Sequence, residues 1–342
     1  MKGYFGVLLF VYPAFFIFIV THLWTFTYIK HDVAVLGKPR TGFYMSGHIS
    51  VDGGYTTNST TEVISITTKS PNSTEEHFLT VFTTFNSSME KFYIYNNTLH
   101  GWMLMKPEVV LVFFSDDAKL NAYVKHIGWD LTLNVGLKAC NGTPVLKDMF
   151  LTVQRLVKSK FYAYANADIL FNRGLFQTLS GVMKNAKLYN SPLLLSGKRS
   201  DLQLDKHKIT NIRGEREIDI AFKKSHISYG YAEDYFVVNN KFPWKIYPNL
   251  VIGRAMVDNY LAYVSRTSKV NVIDTSATVG ALHQKTKSRK RKSSDCNKEI
   301  LGKLWAKHKI QRGNVECFPW ETRFDIDGSV FVMRRGTFTY DC

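Results

Sequence analysis

Phe161-Tyr162-Ala163-Tyr164-Ala165-Asn166-Ala167-Asp168-Ile169-Leu170-Phe171 is the stretch on which the reading of this chain turns. Phe161–Ala165 is apolar and aromatic with little polar alternation, the pattern of a strand buried on both faces, as in a parallel sheet. In an open α/β sheet, ligands bind beyond the carboxyl ends of the strands. Asn166 and Asp168 fall at that end, two residues apart, and point the same way if the chain stays extended. Two oxygen-bearing side chains there suit a hard divalent cation and, through it, a diphosphate. The competing local reading is an aspartate that merely turns the chain.

Outward from this stretch the pattern alternates. Phe78–Phe85 is rich in β-branched and aromatic residues and reads as a strand. Glu90–Met105 is helical in part. Val109–Phe114 is a second buried strand, ending in Ser115-Asp116-Asp117. A helix over Lys119–Ile127 and a strand near Leu131–Val135 follow. Val145, Met149, Val153, Leu156 and Val157 recur at helical spacing and lead the chain into Phe161. Leu193–Leu195 is a further strand, leaving through Lys198, Arg199 and Asp201, where the two cations suit phosphate oxygens. Residues 202–227 are charged and unpatterned and read as a loop. Glu233-Asp234 opens an apolar strand to Val238. Gly253 allows close backbone approach to a ligand, and Asp258 stands near the start of a helix to about Arg266, where the dipole favours a carboxylate. Val270–Ile273 and Ala277–His283 read as a last strand pair. This alternation predicts an α/β fold with a mostly parallel sheet flanked by helices. Neither a G-x-x-x-x-G-K-[ST] loop nor a G-x-G-x-x-G fingerprint is present.

The 342 residues carry 44 Lys and Arg against 28 Asp and Glu, a net charge of +16. Six of the cations lie within eight residues, Lys285–Lys292, so the excess is local and does not suggest a nucleic-acid surface. Tyr4–Ile29 has no Asp, Glu, Lys or Arg and exceeds the roughly 20 apolar residues a membrane helix needs. It reads as a retained signal-anchor, with residues 1–3 as a cytosolic tail and 30–77, rich in Gly, Ser, Thr and Asn, as a stem. Acceptor sequons at Asn58, Asn72, Asn86, Asn96 and Asn141 favour a single-pass type II chain with its bulk in the lumen of the ER or Golgi. The four cysteines suit an oxidising compartment and allow up to two bridges, with the pairing left open.

The order FTTF, N…W, GTP, NADILF, SGKRSDL, DYFVV, IGRAMVDN and DTSATVGALHQ resembles a widespread family of GT-A-type, nucleotide-diphospho-sugar transferase-like glycosyltransferases. The similarity covers roughly residues 78–300 and places a GT-A (Rossmann-like) domain over 78–284, with 285–342 as a basic loop and carboxy-terminal extension. The resemblance implies transfer of a sugar from a nucleotide-diphosphate donor to a glycan, protein or lipid acceptor. Asn166-Ala167-Asp168 matches the fold's DxD-type motif with Asn in the first position. The metal, Mn²⁺ or Mg²⁺, is then assigned to Asp168 and His283 with Asn166 in support. Asn166, Asp168, Lys198, Arg199 and Gly253 are assigned to the donor. For the catalytic base the resemblance implies Asp258, with Asp234 second.

The neutral Asn166 keeps a second class in play, a membrane-anchored, non-catalytic protein that binds glycan or nucleotide. The Lys285–Lys292 run suggests a third, a polyanion-binding ectodomain. Transfer activity separates the first from both.

Overall fold

The computed structural model describes residues 76–86, 91–230, 232–286, 295–302 and 313–338, all within the compact unit Pro71–Cys342. The predicted tail, anchor and nearly all of the stem lie outside these residues, as do Asn58, Asn72 and most of the Lys285–Lys292 run. No helix among the described residues is long and apolar enough to cross a membrane.

The chain opens with β1 (His77–Thr84), α1 (Phe92–Met103), β2 (Val109–Phe114), α2 (Ala118–His126) and β3 (Leu131–Leu133). Asp117 caps α2, its carboxylate accepting from the amides of Lys119 at 3.0 Å and Leu120 at 3.2 Å. Asp116 pairs with Lys138, so the acidic exit of β2 serves the turn and not a ligand. Two short strands, β4 (Lys138–Ala139) and β5 (Thr143–Pro144), lead into α3 (Leu146–Leu156), which buries Leu146, Met149, Phe150 and Val153 at helical spacing. Then come β6 (Ser159–Ala165), β7 (Ile169–Phe171), α4 (Gly174–Lys184), α5 (Ala186–Tyr189), β8 (Leu193–Ser196) and β9 (Ser200–Gln203). The chain continues with α6 (Leu204–His207), α7 (Glu215–Lys223), β10 (His226–Ile227), β11 (Tyr235–Asn239), α8 (Val257–Thr267), β12 (Asn271–Asp274) and β13 (Ala281–Lys285). It closes with α9 (Cys296–Leu301), β14 (Trp320–Phe324) and β15 (Val330–Arg334).

The main sheet has nine strands in the order β15-β14-β12-β8-β11-β6-β1-β2-β3. All run the same way except β11 and β15. The continuous apolar runs are explained by cores on both faces. Along β6, Phe161, Ala163 and Ala165 join one core with Leu99 and Trp102 of α1 and Leu175 and Leu179 of α4. Tyr162 and Tyr164 join the other, with Met149 and Phe150 of α3 and Tyr260 and Leu261 of α8. Adjacent side chains of one strand therefore face opposite layers of helix.

A second sheet, ordered β10-β9-β13-β7, packs over a third core of Ile94, Leu170, Leu202, Ile218 and Leu282. Three expectations change here. β12 and β13 do not pair with each other: β12 lies between β8 and β14, and β13 between β7 and β9. Residues 202–227 are not one loop, because α7 anchors itself through Ile218 and Ala221. The carboxy-terminal residues are not an appendage either, since β14 and β15 extend the main sheet.

β15 is seated against α4 at Gly181. A Cβ added there would lie 2.3 Å from the Val330 carbonyl oxygen. Gly181→Ala is expected to push the strand outward and cost about 1–3 kcal/mol, read by urea unfolding. Wild-type stability in that variant would mean that β15 is only loosely attached.

The Cys140–Cys296 disulfide joins residues 156 apart in sequence. It brings α9 against the loop before α8. There the Asn297 side chain accepts from the Val251 amide at 2.9 Å and donates to the carbonyls of Val251 at 3.0 Å and Ala255 at 3.1 Å. The Ile252 amide donates to the Pro144 carbonyl at 3.1 Å from the other side. Cys317 is also disulfide-bonded.

Candidate active site

β6 does not remain extended past Ala165. The Ile169 amide donates to the Asn166 carbonyl at 3.0 Å, closing a turn that hands the chain from the main sheet to β7 of the second sheet. The expectation that Asn166 and Asp168 point the same way fails for this reason. Asn166 turns toward the main sheet. Its side-chain amide donates to Asp234 Oδ1 at 2.7 Å, its carbonyl accepts from the Tyr164 hydroxyl at 2.9 Å, and its backbone amide donates to the Asp234 carbonyl at 2.9 Å. An aspartate at 166 would set two carboxylates against each other, so the amide is what this geometry requires. Asn166→Asp is expected to weaken the protein by about 1–3 kcal/mol, measured by thermal unfolding.

Asp168 turns toward the second sheet. Its Oδ2 lies 3.5 Å from His283 Nε2, and its Oδ1 is buried with no hydrogen-bond partner. His283 stands on β13 opposite Ile169 of β7 and Asp201 of β9. Its Nδ1 bonds Asp201 Oδ1 at 2.7 Å, which fixes the ring with Nε2 toward Asp168. Burial pushes the imidazole pKa down, but the carboxylates of Asp168 and Asp201 outweigh it and raise it to about 9. Asp168 shows the reverse balance. Burial pushes its pKa up, and the His283 contact with the charges of Lys91 and Arg199 holds it below the ordinary value.

Asp201 is the hub of this region. It also accepts from Arg199 Nε at 3.0 Å and Lys285 Nζ at 3.0 Å. Arg199 in turn pairs with Asp234 through Nη1, and Lys198 pairs with Glu316. The two cations assigned to phosphate by sequence are thus held by internal acids, and neither lines the cavities described next.

Two cavities open at the carboxyl ends of β1 and β6. One, of about 500 Å³, is lined by Thr84, Phe85, Lys91, Tyr95, Asp168 and Arg254, among others. The other, of about 160 Å³, is lined by Glu233, Asp234, Val257 and Asp258, among others. Both share the wall made by Tyr164, Asn166, Ile252, Gly253 and Arg254. Asp258 sits in the first turn of α8, and burial, reinforced by the Asp234 charge, raises its carboxyl to about pKa 7. Glu233 is 2% exposed, and burial with the charges of Asp258 and Asp274 pushes its pKa well up against the opposing effect of hydrogen bonding from Ser196 and the Val315 amide. Gly253 at φ +61° and Met256 at φ +78° form the tight turn that brings α8 to the cavity. A left-handed methionine is strained, and such strain gathers at functional turns.

A larger cavity of about 780 Å³ lies beside Phe78, Leu104, Met105, Phe171 and Phe324. It includes the Arg173–Glu215 ion pair but none of the predicted site residues. Volume favours it, but convergent titratable groups favour the smaller pair, and those groups carry chemistry.

Sequence reasoning missed Lys91, Tyr164, Glu233 and Arg254 as parts of this site. Arg254 stands inside the IGRAMVDN motif, Tyr164 inside the Phe161–Phe171 stretch and Glu233 directly before Asp234, so all three were within reach. Lys91 offered no signal. Of the described sequons, Asn86 and Asn141 are exposed, whereas Asn96 is half-buried on α1 and accepts from the Tyr123 hydroxyl at 2.6 Å.

No protein-family model and no curated protein matches the chain. Solved structures align in part. S. aureus TarS in complex with UDP-GlcNAc aligns at 18% identity and a TM-score of 0.27, over 37% of this chain and 35% of that one. The glycosyltransferase GlyE of Streptococcus pneumoniae TIGR4 aligns at 10% identity and a TM-score of 0.21, over 36% and 30%. The inositol-1-phosphate CTP transferase of T. maritima aligns at 14% identity and a TM-score of 0.33, over 67% and 98%. The chain thus spans about a third of the length of TarS. Overlaps this partial assign no family, and what stands is a mixed α/β chain with a large, mostly parallel sheet whose strand ends carry a polar cleft.

Proposed function

We propose that this chain is a glycosyltransferase that moves a sugar from a nucleotide-diphosphate donor to a glycan, protein or lipid acceptor. The observation that carries the reading is the pairing of two kinds of group across one wall. Asp168 and His283 stand on one side, and Asp258, with its pKa raised to about 7, on the other.

The donor's nucleotide lies in the 500 Å³ cleft beyond β1 and β6. Asp168 and His283 would fit a divalent cation: Asp168 Oδ1 is buried and unpartnered, and with Nδ1 held by Asp201, His283 Nε2 would become the ligating nitrogen once the cation displaced the proton it turns toward Asp168. No group of three His, Cys, Asp or Glu side chains that could hold a metal occurs among the described residues. A bound ion would therefore take most of its oxygens from phosphate and water, the usual habit of Mg²⁺ and Mn²⁺ at nucleotide sites. When bound, it offsets the charge that develops on the departing diphosphate. Asn166 does not join this set; it orients Asp234 and Tyr164 instead.

In a direct displacement, the acceptor oxygen bonds the anomeric carbon as the bond from that carbon to the diphosphate oxygen breaks. The acceptor's proton goes to Asp258, the required general base. Asp234, held by Arg199 and Asn166, is less free to take it and helps keep the Asp258 pKa high. A disulfide and exposed sequon asparagines support placement as a type II membrane protein in the lumen of the ER or Golgi.

The test is a panel of nucleotide sugars given to the purified protein with and without Mn²⁺, reading binding and release of nucleoside diphosphate. Binding with turnover is expected for one donor. No binding to any donor overturns the reading. The neutral Asn166 favours a second one, glycan or nucleotide binding without transfer, and saturable binding with no turnover on any acceptor would select it.

A further inference from the structure

Among the described residues five Lys and Arg side chains lie near the candidate site, and they divide into two classes. Arg199, Lys198 and Lys285 are consumed by internal acids: Arg199 by Asp234 and Asp201, Lys198 by Glu316, and Lys285 by Asp201. Lys91 and Arg254 are not. Both line the 500 Å³ cleft together with Asp168, and among the described residues no carboxylate pairs with either. Lys91 immediately precedes α1. Arg254 stands in the strained turn before α8.

Arg254 is aimed by backbone rather than by charge. Its Nη1 donates to the Gly253 carbonyl at 3.1 Å, and its Nη2 reaches the Thr143 hydroxyl at 3.5 Å. Its Nε is buried and has no partner. A guanidinium with an unsatisfied buried donor, facing a polar cleft, is built for an acceptor that is not part of the chain. Thr143 and the 252–255 segment are themselves fixed. Thr143 of β5 pairs with Ala139 of β4 and donates its hydroxyl to the Cys140 carbonyl at 3.1 Å, Asn297 clamps Val251 and Ala255, and the Cys140–Cys296 bridge ties the two regions together.

The side chains assigned to metal explain why such cations are needed. Of the three side chains assigned to metal by sequence, Asn166 is neutral and engaged by Asp234 and Tyr164, which leaves Asp168 and His283. One carboxylate and one imidazole hold a cation weakly, and a diphosphate brings at least two negative charges into a cleft already lined by Asp168. We infer that Lys91 and Arg254 form a two-cation clamp on the diphosphate, carrying charge that the weakened metal motif leaves uncovered.

This inference deepens the nucleotide-sugar reading and rests on it for the nucleoside, but the clamp itself requires only a diphosphate. The clamp predicts donor-diphosphate binding that survives metal removal. Lys91 supplies a mobile point charge and Arg254 a planar fork, so the two are not interchangeable. The 285–292 cations contribute nothing to the inference, since most of them lie outside the described residues.

The experiment is isothermal titration of the full chain with UDP, with GDP and with inorganic pyrophosphate, each in Mn²⁺ and in EDTA. For the wild type, affinity in EDTA is expected to stay within about tenfold of that in Mn²⁺ for at least one nucleotide. Lys91→Gln and Arg254→Gln should each weaken binding about tenfold in EDTA, and together about 100-fold, as expected for separate charge-assisted contacts. Arg254→Lys should recover part of the loss. Asp168→Ala should not weaken binding in EDTA, because it removes a like charge. A double variant that binds as the wild type does overturns the clamp and leaves the nucleotide reading standing. So does wild-type binding that vanishes in EDTA. Binding of pyrophosphate through the two cations, with no nucleotide binding in any condition, keeps the clamp and removes the nucleotide reading. Absence of all binding removes both. Thermal melts identify a variant that has lost its fold, and if Arg254→Gln does so, Lys91→Gln alone decides by the tenfold change or its absence.

Discussion

Asp258→Asn is expected to lower sugar transfer about 10²–10⁴-fold, the usual contribution of a general base, with donor binding nearly unchanged. The amide keeps the shape of the side chain and its place beside the Asn259 amide, now 2.9 Å from Asp258 Oδ1. It cannot take the acceptor's proton. In the wild type, kcat/KM should rise with pH through about 7, the value to which burial raises this carboxyl, because only the ionised form acts as a base. Stability should move the other way. The folded protein keeps a proton on Asp258 that the unfolded chain releases near pH 4, so stability falls as pH rises from about 4 to about 7. The shift would correspond to about 4 kcal/mol if the group were sealed from water, and to about 1–2 for this partly exposed one. Asp258→Asn removes that fall and should melt higher than the wild type at pH 8. Rate profiles in pH and melts at pH 5 and 8 check both halves. Full transfer activity in the variant would move the base elsewhere, with Asp234 next.

Asp201→Asn should produce the largest loss of stability among single changes at the site, about 2–4 kcal/mol by urea unfolding. Removing one member of a buried charge network costs about 3–5 kcal/mol when the remaining charges are stranded. Here the cost is smaller, because Arg199 keeps Asp234, His283 keeps Asp168, and Lys285 is 40% exposed. The contacts to His283, Lys285 and Arg199 outweigh the effect of burial and hold the Asp201 carboxyl below the ordinary range. Its stabilising share is therefore in place above pH about 4 and is lost as pH falls below that value. The variant should show a flatter acid limb. It should also bind Mn²⁺ about 10–100-fold more weakly, because a neutral amide holds the His283 ring less firmly than the carboxylate and no longer raises its basicity as a ligand. An unchanged Mn²⁺ affinity would separate His283 from the metal.

What could be read from the sequence follows the range of the forces involved. Phe161–Ala165, Val109–Phe114 and Leu193–Leu195 declare themselves because both faces of each strand are buried, which leaves a continuous apolar run. α3 and α8 declare themselves through periodicity. β14 does not, because it mixes Glu321 and Arg323 with Trp320 and Phe324, and Thr322 is its one fully buried residue. α7 is hidden for a similar reason, with Ile218 and Ala221 alone buried among charged neighbours. At the site, the residue types were legible but their partners were not. Asp201 draws meaning from three side chains on β8–β9 and β13. The opposed directions of Asn166 and Asp168 come from a single turn hydrogen bond. Lys198 and Arg199 look like phosphate ligands until Glu316 and Asp234 are seen beside them.

The place of β14 bears on how the chain is made. Its strand pairs with β12 through Ile273–Trp320 and Asp274–Glu321, and β15 closes the sheet beyond it. During synthesis, every other strand of the main sheet has emerged before these two. Until Trp320 arrives, Val272 and Ile273 line an open strand edge, the kind of surface on which nascent chains pair with one another. A chain ending short of Trp320 would keep all the candidate chemistry and still expose that edge, so its expected fate is aggregation rather than a change of activity.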